Sequence, residues 1–189
     1  GIHMGVTAEN VATKYGVSRT EQDEFAAESQ RRAATAEAQA AFAEEITPVE
    51  VGGRQPVTVT VDEHPKPATT VETLAGLRPA FQKDGTVTAG NASGINDGGA
   101  AVLVTTEEIA RERGATGMVV LEAVATAAME PELMGYAPVL ALRSLFAQTG
   151  TTPDDIGTIE LNEAFAAQAV AVIRDAGLDP ERTNPYGGA

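Results

Sequence analysis

Glu160-Leu161-Asn162-Glu163-Ala164-Phe165-Ala166 is the stretch on which the fold class turns. Thr158 to Leu161 reads as a short strand. Glu163 to Ala176 reads as a helix that Gly177 stops. A strand passing directly into a helix is the repeating joint of an α/β chain. Such a joint delivers Asn162 and Glu163 to the carboxyl end of the strand. Open α/β sheets bind ligands there, and the helix N-terminus favours negative charge. An Asn amide at that place can orient a water or donate to an oxyanion. It can equally cap the helix, and the residues alone leave both readings open.

Upstream, Met118 to Ala125 and Ala100 to Val104 are continuous apolar runs, expected as strands covered on both faces. Thr105 with Glu108 is expected to form a capping box opening a helix that Gly114 closes. Pro138 fits the first turn of a helix ending at Gly150, and Thr152-Pro153 starts a short turn. Strands alternating with helices predict a sheet layered between helices.

The N-terminal third has another texture. A helix is expected over about Thr7 to Tyr15, ended by Gly16. Ser18 and Glu21 make a capping box. The stretch from Thr20 to about Ala43 that follows lacks Gly and Pro. Phe25, Ser29, Ala33 and Ala36 or Ala40 fall near one face, with Glu, Gln and Arg on the other. Val57, Val59 and Val61 alternate with Thr58, Thr60 and Asp62, the period of a half-buried strand. Val49 and Val51 suggest its partner, with Gly52-Gly53 as the turn. Asp62 to Thr70 is polar and holds two prolines, so it is a loop.

The charge balance is 13 Lys+Arg against 27 Asp+Glu, a formal net charge of −14. That repels phosphate backbones and argues against nucleic acid and anionic membranes as partners. No apolar run approaches the roughly 20 residues of a membrane span, and no secretory signal is visible. A cytoplasmic protein is expected. Three lysines against ten arginines, with abundant alanine, suggest a GC-rich bacterial source. Hydrophobic residues are 43% and aromatics 4%, so the core must be built from Ala, Val, Ile and Leu. Cysteine is absent and there are two histidines, His3 and His64. Cysteine nucleophiles, thiolate metal sites and multi-histidine clusters are thereby excluded within this chain, and no metal site is expected.

Ala89 through Gly99 (Ala-Gly-Asn-Ala-Ser-Gly-Ile-Asn-Asp-Gly-Gly) is the second notable stretch. Small residues let a backbone approach a ligand closely, and Asn, Ser and Asp can fix one. It lacks the Lys-Ser/Thr of a P-loop and the glycine spacing of a dinucleotide fingerprint. A plain tight loop entering the run at Ala100 explains it equally. His3-Met4 reads first as a packed or exposed pair or a tag remnant, and Met134 as a core filler. The acidic pairs Glu44-Glu45, Glu107-Glu108 and Asp154-Asp155 suit solvated faces and helix starts.

Five segments in order resemble the thiolase family of acetyl-CoA acetyltransferases and 3-ketoacyl-CoA thiolases. They are His3 through Asn10, Leu77 through Phe81, Gly85 through Gly99, Asn162 through Ala166, and Asn184 through Ala189. The resemblance implies a layered αβαβα thiolase fold, present in part, with an inserted helix-rich loop domain. Residues 1–83 would be the loop domain, 84–117 the end of the N-terminal half, and 118–189 the beginning of the C-terminal half. The chain would be a central piece with both flanks of the fold missing.

By the same resemblance, Asn162 holds the water that forms an oxyanion hole for an acetyl enolate. Ser93 and Ala89 contact the pantetheine arm of coenzyme A. Met4, Met134, Phe81 and Phe165 line the acyl and pantetheine tunnel, with His3 beside it. Lys66 and Thr73 meet the nucleotide end, and Lys66, Arg78 and Lys83 are candidates for a local basic cluster. Acyl-CoA thioesters are the implied substrates, with no permanently bound cofactor. The parent family is usually a homotetramer or homodimer. Family members use two cysteines and a Gly-His-Pro histidine, none of which is present here. Three readings follow: an inactive part of a thiolase, a non-catalytic coenzyme A-binding or interaction module, or a fragment with exposed sheet edges that associates.

Overall fold

A computed structural model describes residues 1–188. Ala189, the last residue of the Asn184–Ala189 motif, lies outside the described residues. Helix α1 spans Met4–Tyr15 and α2 Arg19–Ala33. Helix α3 spans Ala36–Glu45 and is followed by a hairpin of β1 (Val49–Val51) and β2 (Val57–Val59). Next come α4 (Val71–Ala75), α5 (Glu107–Glu112), α6 (Ala137–Thr149) and α7 (Ala166–Ala176). Two 3-10 turns, Pro131–Tyr136 and Pro153–Asp155, flank α6.

Several local signals act as expected. Gly16, Gly150 and Gly177 end α1, α6 and α7 at φ of 64°, 71° and 68°, where a Cβ would be strained. Ser18 and Glu21 close a reciprocal box, with Ser18 N donating to Glu21 Oε2 over 2.7 Å. The valine hairpin is antiparallel, pairing Val49 with Val59, but most of it is exposed rather than half-buried.

Others need correction. The expected Thr20–Ala43 helix is two helices, because the Thr35 hydroxyl caps α3 by accepting from Ala38 N. The polar face of α2 is not all solvated: Gln22 and Asp23 are buried and hydrogen-bonded. Helix α5 is capped by Thr106, one residue later than the expected Thr105. Helix α4, with its Thr70–Thr73 box, falls just beyond the expected loop.

The largest correction concerns the sheet. Ala100–Val104 and Met118–Ala125 form no strand, and Val102, Leu103 and Val119 are 89%, 91% and 94% exposed. Thr158–Leu161 contributes one parallel bridge, Ile159 to Thr183. A strand is held by ladder bonds to neighbours. Among the described residues, nothing pairs with the two apolar runs. The only multi-residue ladder there is β1–β2.

The core therefore lies between helices. Ala167, Ala171, Val172 and Ile173 of α7 pack with Ala8, Val11 and Ala12 of α1, Val139 of α6, Val87 and Leu178. Alanines on α7 let α1 and α2 approach closely, but the core is not purely aliphatic as the composition suggested: Tyr136 is buried in it, with Tyr15, Phe25, Phe81, Phe146 and Phe165 packed against it. No described helix is long and apolar enough to cross a membrane.

Candidate functional site

The Ala89–Ser93 loop is tied to the start of α7 by backbone bonds. Ser93 N donates to Ala164 O (3.1 Å) and Ala166 N to Asn91 O (2.9 Å), around an Ala92–Phe165 bridge. The loop is also held from α2. Asn91 Nδ2 donates to Asp23 Oδ1 at 2.9 Å, and Asp23 is paired with Arg19 at 2.7 Å. Buried Glu9 of α1 accepts from the Thr86 and Val87 amides at 2.9–3.0 Å, fixing the strand-like lead-in. Three helices thus hold one loop rigidly, as a binding surface requires.

Against this loop lies a cavity of about 300 Å³. Four of the sequence-assigned residues share its wall: Lys66, Thr73, Ala89 and Ser93. Of the suggested basic cluster, Lys66 alone lines it; Arg78 and Lys83 do not. Two further wall residues had no assignment from sequence, His64 and Glu163. The signal for His64 was its place two residues before Lys66. Glu163 read as the first residue of a helix, whereas it precedes α7 and is buried.

A second group forms around Phe81. His3 stacks on Phe81 with centroids 5.0 Å apart, and Phe165 meets Phe81 edge-on at 6.1 Å. The Phe81 ring lies flat against Gly5, where any Cβ would collide with it. His3 also caps α1, its Nδ1 accepting from Gly5 N at 3.1 Å. Met4 starts that helix and is 46% exposed. Met134 is 44% exposed on the Pro131–Tyr136 turn, which packs along α1. The Ala92–Phe165 bridge joins the aromatic group to the cavity loop.

Asn162 does not cap α7. The helix starts at Ala166 with Phe165 at the N-cap, so the amide is released from that duty and is exposed. It is not on the cavity wall, but its neighbour Glu163 is. The segment carrying it is anchored by Asn184, whose Oδ1 accepts from Leu161 N and whose Nδ2 donates to Leu161 O and Glu163 Oε1, each at 2.7 Å. Burial pushes the Glu163 carboxyl above its ordinary range, opposed by hydrogen bonds from Asn184 and Ser29 and by Arg32. Among the described residues, no group of three or more His, Asp or Glu side chains could hold a metal ion.

The model of the thiolase N-terminal domain matches residues 1–108, and that of the thiolase C-terminal domain matches residues 115–189. The chain belongs to the thiolase family. It is 50% identical over 188 residues to an acetyl-CoA acetyltransferase of Paracoccus denitrificans, covering 99% of this chain and 48% of that protein. A probable acetyl-CoA acyltransferase of Staphylococcus aureus is 49% identical over 189 residues, with the same two coverages. The crystal structure of the Bacillus anthracis acetyl-CoA acetyltransferase superposes with a TM-score of 0.93 at 41% identity, covering 99% of this chain and 48% of that one. The thiolase chain thus spans about half the length of the curated relatives it matches, and the expected thiolase fold is present in part.

Proposed function

We propose that this chain binds the coenzyme A moiety of an acyl thioester and contributes the loop and oxyanion side of a thiolase active site. In this reading Ala89 and Ser93 contact the pantetheine arm, and Lys66 and Thr73 the nucleotide end. His3, Met4, Phe81, Phe165 and Met134 line the acyl passage, where soft apolar walls exclude water from the thioester. Asn162 holds a water against the developing enolate oxygen. A fixed donor lowers the barrier only where charge appears in the transition state. The division into 1–83, 84–117 and 118–189 is part of the same proposal, as is a homodimeric or homotetrameric parent assembly.

The observation that carries the reading is the shared cavity. Lys66, Thr73, Ala89 and Ser93 come from three separate segments and meet on one wall. The uncapped, exposed Asn162 supports its assigned role. Acyl transfer in this family passes through a cysteine thiolate, and this chain contains no cysteine. The isolated chain is therefore a coenzyme A-binding unit without turnover. Thermal melts should show one cooperative transition that coenzyme A raises. Acetoacetyl-CoA thiolysis should stay at background. A ligand-insensitive melt would remove the binding claim, and thiolysis above background would remove the claim of inactivity.

A further inference from the structure

The chain carries a formal charge of −14, yet the cavity assigned to a polyanionic ligand must attract phosphate. Two lining side chains can carry positive charge: Lys66 and His64. They stand in His64-Pro65-Lys66-Pro67, where each precedes a proline. Proline fixes its own φ and confines the residue before it to extended backbone, so the pair is presented by a stiff segment at little entropic cost. Lys66 is pinned further, its backbone N–H donating to Gln30 Oε1 at 2.6 Å. His64 is wedged against the small-residue loop: a methyl group on Gly94 would fall 2.5 Å from His64 Cε1 and 2.7 Å from Nδ1. A glycine there makes room for the imidazole beside Ser93.

We propose that His64 and Lys66 form a two-cation clamp for a phosphate of the ligand, and that affinity for coenzyme A rises as His64 gains a proton. The proposal rests on the coenzyme A reading of this cavity and specifies how that site responds to pH. Lysine keeps its charge throughout the neutral range, whereas histidine side chains change charge between about pH 5 and 8. His64 has Asp62, Glu63 and Lys66 on its own segment and Glu163 on the shared cavity wall, and the loop carrying Gly94, against which it packs, also carries Asp97. Glu163 gains a proton in the same direction of pH, so the test must separate the two.

The test is calorimetric titration of the full chain with coenzyme A and, in parallel, with uncharged pantetheine, at pH 8 and pH 6. Wild type should bind coenzyme A about two- to fivefold more tightly at pH 6, the range expected for one partly exposed ion pair. Pantetheine should show no such gain. His64→Gln should lose the gain and bind as wild type does at pH 8. His64→Arg should bind tightly at both pH values, which also covers the case in which His64→Gln fails to fold. If His64→Gln keeps the wild-type gain, Glu163 or the ligand's own phosphate is titrating and the clamp is overturned, while the coenzyme A reading stands. If wild type binds no coenzyme A at either pH, both fall together.

Discussion

Asn184→Ala is the most informative single perturbation. Asn184 is 3% exposed and sits at φ 49°, in the left-handed region. Its side chain makes three bonds of 2.7 Å, two to the Leu161 backbone and one to the Glu163 carboxyl. Each Leu161 bond is worth about 1 kcal/mol net. Removing the third takes a donor from a buried carboxylate, at about 1–3 kcal/mol. Alanine at positive φ adds about 1 kcal/mol, a conformation asparagine tolerates better. Neighbouring effects do not add fully, so the expected loss is about 4 kcal/mol. For a chain of this size that lowers the melting temperature by about 8–16 °C. Urea denaturation followed by circular dichroism measures it directly. Asn184→Asp separates the contributions. It keeps an acceptor for Leu161 N and the backbone tolerance, but sets a second carboxylate against Glu163. Its loss should shrink on acidification. A loss below about 1 kcal/mol for Asn184→Ala would refute the view that this side chain anchors the strand end.

Further outcomes follow from other parts of the structure. Burial raises the folded-state pKa of Glu163 above 4.5, so its contribution is favourable below 4.5 and is lost as pH rises through the raised value; Glu163→Gln should flatten that limb of the stability–pH curve. Glu28 has the opposite sign: hydrogen bonding to Arg31, with help from Arg32, lowers its carboxyl from 4.5 to about 2. Its contribution is present above 4.5, is lost as pH falls through about 2, and should weaken in high salt because the pair is partly exposed. Thr35→Ala removes the cap of α3 and should cost about 1 kcal/mol in chemical denaturation. Leu103→Asp, at a side chain 91% exposed, should change stability by less than about 0.5 kcal/mol while reducing self-association in sedimentation runs. A loss above 2 kcal/mol there would show that the run is buried in solution.

Local chemistry was the most legible part of the chain. The Ser18–Glu21 box, the glycine stops and the valine hairpin depend on residues within a few positions of one another, and they formed where the spacing put them. Thr35 shows the limit: a capping hydroxyl inside a run without Gly or Pro carries the same letter as a solvated one. The apolar runs at 100–104 and 118–125 failed for a different reason. Their composition states that both faces prefer burial, but says nothing of which backbone supplies the hydrogen bonds. For the candidate site, Ala89 and Ser93 came from an ordered motif and Lys66 and Thr73 from the resemblance outside the motifs; these four share one cavity, whereas Met134 and Asn162 do not line it. His64 was missed, and Glu163 was placed at the strand end without its burial on the cavity wall, because neither spacing nor residue type marks a side chain that long-range packing turns inward.

By itself the sequence determined the glycine helix stops, the Ser18–Glu21 cap, the family resemblance and the exclusion of thiol chemistry within the chain. Each of these follows from residue identity and short-range spacing. Tertiary structure alone decided that Asn162 is free of capping duty, that Asn184 braces the segment beside it, and that a histidine from a proline-rich loop abuts Gly94. Such contacts join residues 21 to 30 positions apart. Their geometry is fixed when α1, α2 and α7 pack together, because only that packing sets the distances between side chains.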